Sequence, residues 1–450
     1  MALTEQEMNQ LADLADKKQF KRLKAELCDM NEVDIAEVLN MLTPEQALVA
    51  FRLLPKDLAT EAFACLEIEE QQHIINSLED AELHHIIEDL AIDDAVDMVE
   101  ELPASVVKRI LKIATPTTRQ LINQYLQYPD NSAGTIMTAE YVALRPSMTV
   151  EEAFAYIRKN GVDKETIYNC YVINPKRQLL GVVTLKDLLM NPYETKVEDI
   201  MDGNILSALT TDDQEEVAAT FNKYGLLALP VVDKENRLVG IVTIDDVVDV
   251  MEQEATEDFQ KMAGMASSEK SYLKTSVFSL AKNRIVWLLV LMISSMVTGL
   301  ILSYYEAAFA TVPLLVSFIP TIMGTGGNSG SQASTLIIRG MATGEIVLKD
   351  IFRVMWKEIR VGVLCGAILA IVNFVRLMIM YPENLMVNIT VVLSMLITVV
   401  LAKTLGALLP MAAKAMHLDP ALMASPMLTT ILDACSMVIY FTIASQLLHV

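Results

Sequence analysis

The sequence has little with which to build a covalent or metal-bound core. Its five cysteines (Cys28, Cys65, Cys170, Cys365 and Cys435) are scattered over 450 residues. There is no C-x-x-C and no histidine at ligand spacing, so neither a disulfide framework nor a zinc site is expected. The thiols read as small buried apolar groups. Histidine is scarce as well, and His73, His84, His85, His417 and His449 form no partnered arrangement. With no phosphate-binding loop and no activated-nucleophile motif, an enzyme is not expected. The amino-terminal stretch MALTEQEMNQLADLADKKQF lacks a basic segment followed by an apolar one. No secretory signal is read there, and the front half is expected to stay in the cytoplasm.

Positive charge is also in short supply: 35 Lys and Arg stand against 57 Asp and Glu, a net charge of -22, although 53% of residues are hydrophobic. Greasy and acidic is an odd pair for one domain, and the two properties separate along the chain. From residue 271 onward there are 7 acidic and 11 basic residues, which leaves 50 acidic and 24 basic residues before it. An acidic soluble body is therefore expected to precede a membrane block.

Residues 1–129 read as an α-solenoid. Apolar residues recur at i, i+3 and i+4 (Ile35, Val38, Leu39; Ile86, Ile87, Leu90), and an acidic or proline-bearing turn returns about every twelve residues. Residues 130–252 change period and repeat themselves: YVINPKRQLLGVVTLKDLL (171–189) matches PVVDKENRLVGIVTIDDVV (230–248). Each copy reads as β-α-β-β-α, and the doubled G-x-V-T-x-x-D resembles a tandem CBS-domain pair. Residues 245–284 contain no proline and only Gly264, and predict a long polar helix whose 253–284 part connects the body to the membrane. Five apolar segments follow, at about 285–305, 313–338, 359–380, 386–410 and 421–448, each near the ~20 residues that cross a bilayer. Lys282, Arg284, Lys349, Arg353, Lys357, Arg360 and Lys414 fall on one side, while SYYEAAFATVP and YPENLMVN carry no basic residue. That places the amino-terminal domains inside and the carboxyl terminus outside.

Two membrane segments hold the candidate pore. The second carries Gly324, Gly326, Gly327, Asn328, Ser329, Gly330, Ser331 and Gln332, a polar and glycine-broken stretch tolerated at membrane depth where it lines water or packs in protein. Tight packing through small residues is the bland explanation. The fifth carries Asp433 among apolar residues, and Pro426 seven residues earlier is expected to free a carbonyl. A central Asp costs about 2.5–3.5 kcal/mol on the insertion scale and usually does work. The bland explanation is a structural pair with Lys403 or Arg376. One carboxylate with polar backbone suits magnesium, which keeps much of its water.

The order of acidic helical domain, CBS pair, connecting helix and five spans resembles the MgtE family of magnesium channels. GGNSGSQ (326–332) and PMLTTILD (426–433) look like that family's pore motifs. The resemblance implies a homodimer in a bacterial inner membrane with one pore on the two-fold axis. Asp433 would be the main ion site, Gly326, Gly327, Asn328, Gln332, Pro426 and Thr429 would line the pore, and the connecting helices would act as a plug. It implies regulatory magnesium at Asp246, Asp249, Glu254, Glu257 and Asp258. Asp213 and Glu215 at a CBS helix start and Asp94 in the solenoid are further candidates, since facing carboxylates repel until a cation screens them. ATP is suggested in the first CBS cleft through Thr184, Lys186 and Asp187. Asn169 and Leu226 stand where an aromatic platform would help, which leaves the nucleotide open. The rival reading is a CBS-regulated secondary transporter of another divalent cation or solute, which would need charges spread through several spans.

Overall fold

The computed structural model describes residues 3–162, 164–267, 272, 275–306 and 311–449. It divides into two compact units, Met1–Val250 and Met251–Val450.

The first unit opens with ten helices: α1 (Glu5–Asp16), α2 (Phe20–Cys28), α3 (Glu32–Met41), α4 (Pro44–Leu53), α5 (Lys56–Ala64), α6 (Ile68–Ser77), α7 (Asp80–Asp89), α8 (Ile92–Glu101), α9 (Ala104–Ile113) and α10 (Pro116–Tyr125). From α3 onward a helix begins every twelve residues. The period has a physical origin in what ends each helix. Leu42, Leu54, Leu78, Leu90 and Leu102 are extended C-cap residues, and all five are buried. Each stops its helix by turning its side chain into the core. The following turn starts the next helix with a cap such as Thr43 or with proline at its first position, as Pro44 and Pro116 do. Helices two apart pack together (α3 on α5, α5 on α7, α8 on α10), which is how a solenoid buries its stripe.

Two three-stranded sheets follow, β1 (Tyr141–Leu144), β2 (Thr166–Ile173) and β3 (Leu179–Thr184), then β4 (Ala208–Leu209), β5 (Ala228–Val232) and β6 (Leu238–Thr243). In each, the first strand runs parallel to the second and the second antiparallel to the third. The helices are α11 (Val150–Asn160), α12 (Leu185–Met190), α13 (Val197–Ile200), α14 (Gln214–Tyr224) and α15 (Ile244–Met262). The repeated glycine of the motif has a specific purpose. A Cβ on Gly181 would stand 2.6 Å from the Asp202 carbonyl oxygen, and one on Gly240 would stand 2.7 Å from that of Thr138. Each copy's last strand is thus crossed by the segment that leads into the other copy.

In the second unit α15 ends at Met262, and Gly264 follows with φ of +70°. The expected helix to residue 284 is therefore shorter. A left-handed glycine stops it, and the remaining expectation falls partly on residues 268–271, 273 and 274, outside those described. The membrane helices are α16 (Val277–Tyr304), α17 (Ile319–Ala342), α18 (Ile351–Met380), α19 (Leu385–Ala415) and α20 (Ser425–Leu448). Among the described residues four spans are long and apolar enough to cross a membrane: Val277–Tyr304, Leu348–Met380, Leu385–Ala415 and Pro420–Leu448. The fifth, α17, has the length but is diluted by its polar residues.

The glycine-rich stretch does not break α17, as its composition suggested. It is helical throughout, because α19 and α20 pack closely along it. A side chain on Gly406 of α19 would run into the Gly330 carbonyl oxygen, and one on Gly330 would overlap Leu432. Gly406→Val is therefore expected to lower the stability of the membrane block by about 1–3 kcal/mol or more through overpacking. The check is the melting temperature of the purified chain in detergent, with Gly299→Val as control, since nothing lies within 4 Å of a Cβ there.

Candidate functional site

In the membrane block the candidate residues come from α17 and α20. Pro426, Thr429 and Asp433 fall at i, i+3 and i+7 on α20 and share a face. Pro426 lies at the first turn of α20, so it starts the helix rather than breaking one. Its own carbonyl accepts from the Thr429 hydroxyl at 2.9 Å and the Thr430 hydroxyl at 3.0 Å. Thr429 in turn lies over Gly327, where a Cβ would stand 3.2 Å from its methyl. Gly326 is closed off likewise by Thr398 and Ser436. The two glycines therefore allow close packing, the bland explanation. The polar side chains face elsewhere. Asn328 and Gln332 are exposed, one helical turn apart, with Gly324 one turn before them in open space.

Asp433 is half-buried, and among the described residues it has neither a hydrogen-bond nor an ion-pair partner. Lys403, the expected structural mate, donates instead to Gln332 Oε1 at 3.0 Å. An ionisable side chain within a membrane helix almost always faces the bundle interior or a water-filled cavity.

A second cluster lies within the first unit. Asp93, Asp94 and Asp97 at the start of α8 face Glu140, Glu165, Asp245 and Asp246. Burial first, then Asp94 and Asp246, push Asp93 up to about 8, and one of its carboxylate oxygens is buried with no partner. Burial and then Asp246 and Glu140 raise Asp94 to about 6, and Asp97 reaches about 7 by burial and Asp94 while keeping an exposed edge. Burial also raises Asp246, against a hydrogen bond from Thr243 at 2.7 Å and with Asp245 and Asp249 adding to the rise. The neighbouring charges that raise Asp93, Asp94, Asp97, Glu165 and Asp246 are acidic. Glu140 and Glu165 were missed from the sequence, because nothing near them forms an acidic run.

Other candidates have local partners. Asp213 caps α14, accepting from the Glu215 amide at 2.8 Å. Thr184 and Asp187 form a capping box on α12, in which Asp187 accepts from the Thr184 amide at 3.0 Å, while Lys186 is exposed. Asp249 is exposed on α15. In the second unit Glu254, Glu257 and Asp258 are half-buried, and Lys261 bridges Glu257 and Asp419, each at 2.7 Å. Burial pulls the Lys261 ammonium down, but Asp419 and Glu257 outweigh it and hold it above its ordinary range. Burial and Asp419 raise Asp258, with Lys261 opposing. Asp419, which stands just before the last membrane helix, was not singled out from the sequence. Among the described residues no group of three or more His, Cys, Asp or Glu is arranged to hold a metal ion within one chain.

A twelve-residue helical repeat, a CBS-like pair and a membrane block built on one polar helix define a membrane protein with a cytoplasmic-type regulatory module. Comparison with known sequences places it more narrowly. The family described as a divalent cation transporter, MgtE, matches residues 319–443, the MgtE intracellular N domain matches 30–131, and CBS domains match 133–193 and 197–253. The magnesium transporter MgtE of Thermus thermophilus is 38% identical over 434 residues, 95% of this chain and 96% of that one. That of Bacillus subtilis is 32% identical, over 92% and 94% of the two chains. The chain belongs to the MgtE family. Among solved structures, the cytosolic domain of the Mg2+ channel MgtE in complex with ATP is 37% identical, with a TM-score of 0.51 over 54% of this chain and 99% of that one. The soluble part of a magnesium transporter gives 28% identity and 0.52 over 56% and 99%.

The acidic cluster makes a pH prediction. A carboxyl whose pKa is higher folded than unfolded binds its proton more tightly when folded. Its effect on stability is therefore most favourable at low pH and worsens as pH rises, here from the ordinary 3.8 toward about 8 for Asp93. In chelator, α8 of the full chain should become more protease-sensitive between pH 5 and pH 8, and Asp93→Asn should flatten the change.

Proposed function

We propose that this chain carries magnesium across a bacterial inner membrane and that magnesium on the cytoplasmic side closes it. The observation that carries the reading is Asp433, half-buried on an apolar helix and without a partner among the described residues. The names of the relatives support magnesium as the substrate. A homodimer would bring two copies of Asp433 and two of the exposed Asn328–Gln332 stripes to one axis. Few carboxylates and no closed cage suit an ion that crosses with much of its hydration shell, since magnesium dehydrates reluctantly.

Closure follows from repulsion among acids. With no cation, the facing carboxyls of Asp93, Asp94 and Asp97 on one side and Asp246 with Glu165 on the other oppose a compact body. Magnesium held through water between them, with Asp249 alongside, lowers that repulsion. Glu254, Glu257 and Asp258 on α15 would do the same beside Asp419 at the entrance to α20, so that α15 acts as the plug. Asp213 and Glu215 are weaker candidates, because the Asp213 carboxylate is already used as a cap. ATP in the first CBS cleft is supported by the ATP-bound relative. Lys186 would face its phosphates, and the free oxygen of Asp187 its ribose. The basic residues before α16 and between α17 and α18 support amino-terminal domains inside and a carboxyl terminus outside.

The test is patch-clamp recording of the full chain in liposomes. Sodium-carried current should fall as magnesium is raised on the side of the acidic domains, and Asp433→Ala should abolish magnesium permeation. No current under any condition sinks the channel reading in favour of coupled transport. Lys261→Met removes a cation that already joins α15 to Asp419, so more magnesium, about threefold or above, should be needed to close that variant. An unchanged closing concentration would exclude Lys261 from gating.

A further inference from the structure

Lys403 is the least expected side chain in the membrane block. It is 6% exposed, and among the described residues no carboxylate stands within ion-pair distance of it. It lies twelve residues before the end of α19 at Ala415, about 18 Å along the axis at 1.5 Å per residue, so its stem does not reach the end of the helix. Its stem lies against α18 at Gly362, where a Cβ would stand 3.0 Å from the Val400 Cα and in ordinary contact, 3.5 Å and 3.6 Å, with the Lys403 Cβ and Cγ. The ammonium crosses to α17 and donates to Gln332 Oε1 at 3.0 Å, turning a carboxamide of the exposed polar stripe.

Its depth matches that of Asp433. A Cβ on Gly330 would overlap the side chain of Leu432 and stand 3.3 Å from the carbonyl oxygen of Ala402. Leu432 precedes Asp433, Ala402 precedes Lys403, and Gln332 follows Gly330 by two residues. One close contact thus sets a carboxylate, a carboxamide and a lysine at nearly one level, on three neighbouring helices.

We propose that Lys403 is a fixed positive charge that orients Gln332 and limits how tightly the permeation path holds a divalent ion. The inference rests on the magnesium-transport reading. A conducting site must bind well enough to admit an ion and weakly enough to release it, and a cation one helix behind the lining provides the second half. Neighbouring helix axes lie about 8–10 Å apart. At that separation, with an effective dielectric near 20, a unit charge alters binding of a divalent ion by roughly 300- to 1,000-fold, and much less where pore water screens it. A purely structural lysine would hold α19 to α17 and leave ion affinity alone.

The experiment uses the full chain in liposomes, with sodium-carried current and magnesium added on the side opposite the acidic domains. Lys403→Gln should lower the half-blocking magnesium concentration about tenfold or more, and Lys403→Arg should restore it. Gln332→Glu, which pairs the lysine instead of removing it, should lower it in the same direction and serves if Lys403→Gln fails to fold. Normal block in the wild type with an unchanged half-blocking concentration in Lys403→Gln and Gln332→Glu overturns this inference alone. A wild type whose current magnesium does not block overturns the transport reading, and this inference falls with it.

Discussion

Helices α17 and α19 meet backbone to backbone at Gly330 and Gly406, and the arrangement of the membrane block follows from that contact. A side chain at either position would hold the helices apart. With both absent, a helix too polar to be held by its own hydrophobicity is fixed by its neighbours, and its small residues are used up on the packed side. Its exposed residues include Gly324, Asn328 and Gln332, each one turn from the next. Polar groups are costly at membrane depth unless they face water or protein. Close packing on one face therefore decides where the polar face must point.

The same contact brings charges of both signs to one depth. Asp433 supplies attraction without a protein partner, and Lys403 supplies a cation that is satisfied by an amide rather than by that aspartate. Had the two paired, each would have cancelled the other and little field would remain for a passing ion. Separation by a helix keeps both fields available.

Much of this was legible in the sequence because it is periodic. An acidic or proline-bearing turn about every twelve residues, the doubled G-x-V-T-x-x-D and the runs of apolar residues each report a local rule that tertiary structure respects. Where the reading failed, local preference was overruled. Four glycines within a short stretch argue against helix, yet α17 is continuous because neighbouring helices pack along it. Pro426 is expected within a span, where it would free a carbonyl, yet it lies in the first turn of α20, where a missing amide costs little. The third kind of miss is long-range. Glu165 joins Asp93, Glu140 joins Asp94, and Asp419 joins Lys261, through folding alone. No spacing along the chain announces such meetings.

The two acidic clusters differ in a way that bears on regulation. In the first unit carboxyls face carboxyls, and the neighbouring charges that raise Asp93, Asp94 and Asp97 are acidic. Such a cluster can be relieved from solution, by protons or by metal ions, and its state then follows their concentrations. In the second unit Lys261 already stands between Glu257 and Asp419. That contact is compensated from within and persists when solution cations are absent. On the proposed reading the first cluster sets the concentration dependence, while the lysine gives closure at the membrane end a constant contribution. A divalent ion arriving beside Glu254 and Asp258 then completes a contact that is partly made, so the ion's share of the closing free energy need only be modest.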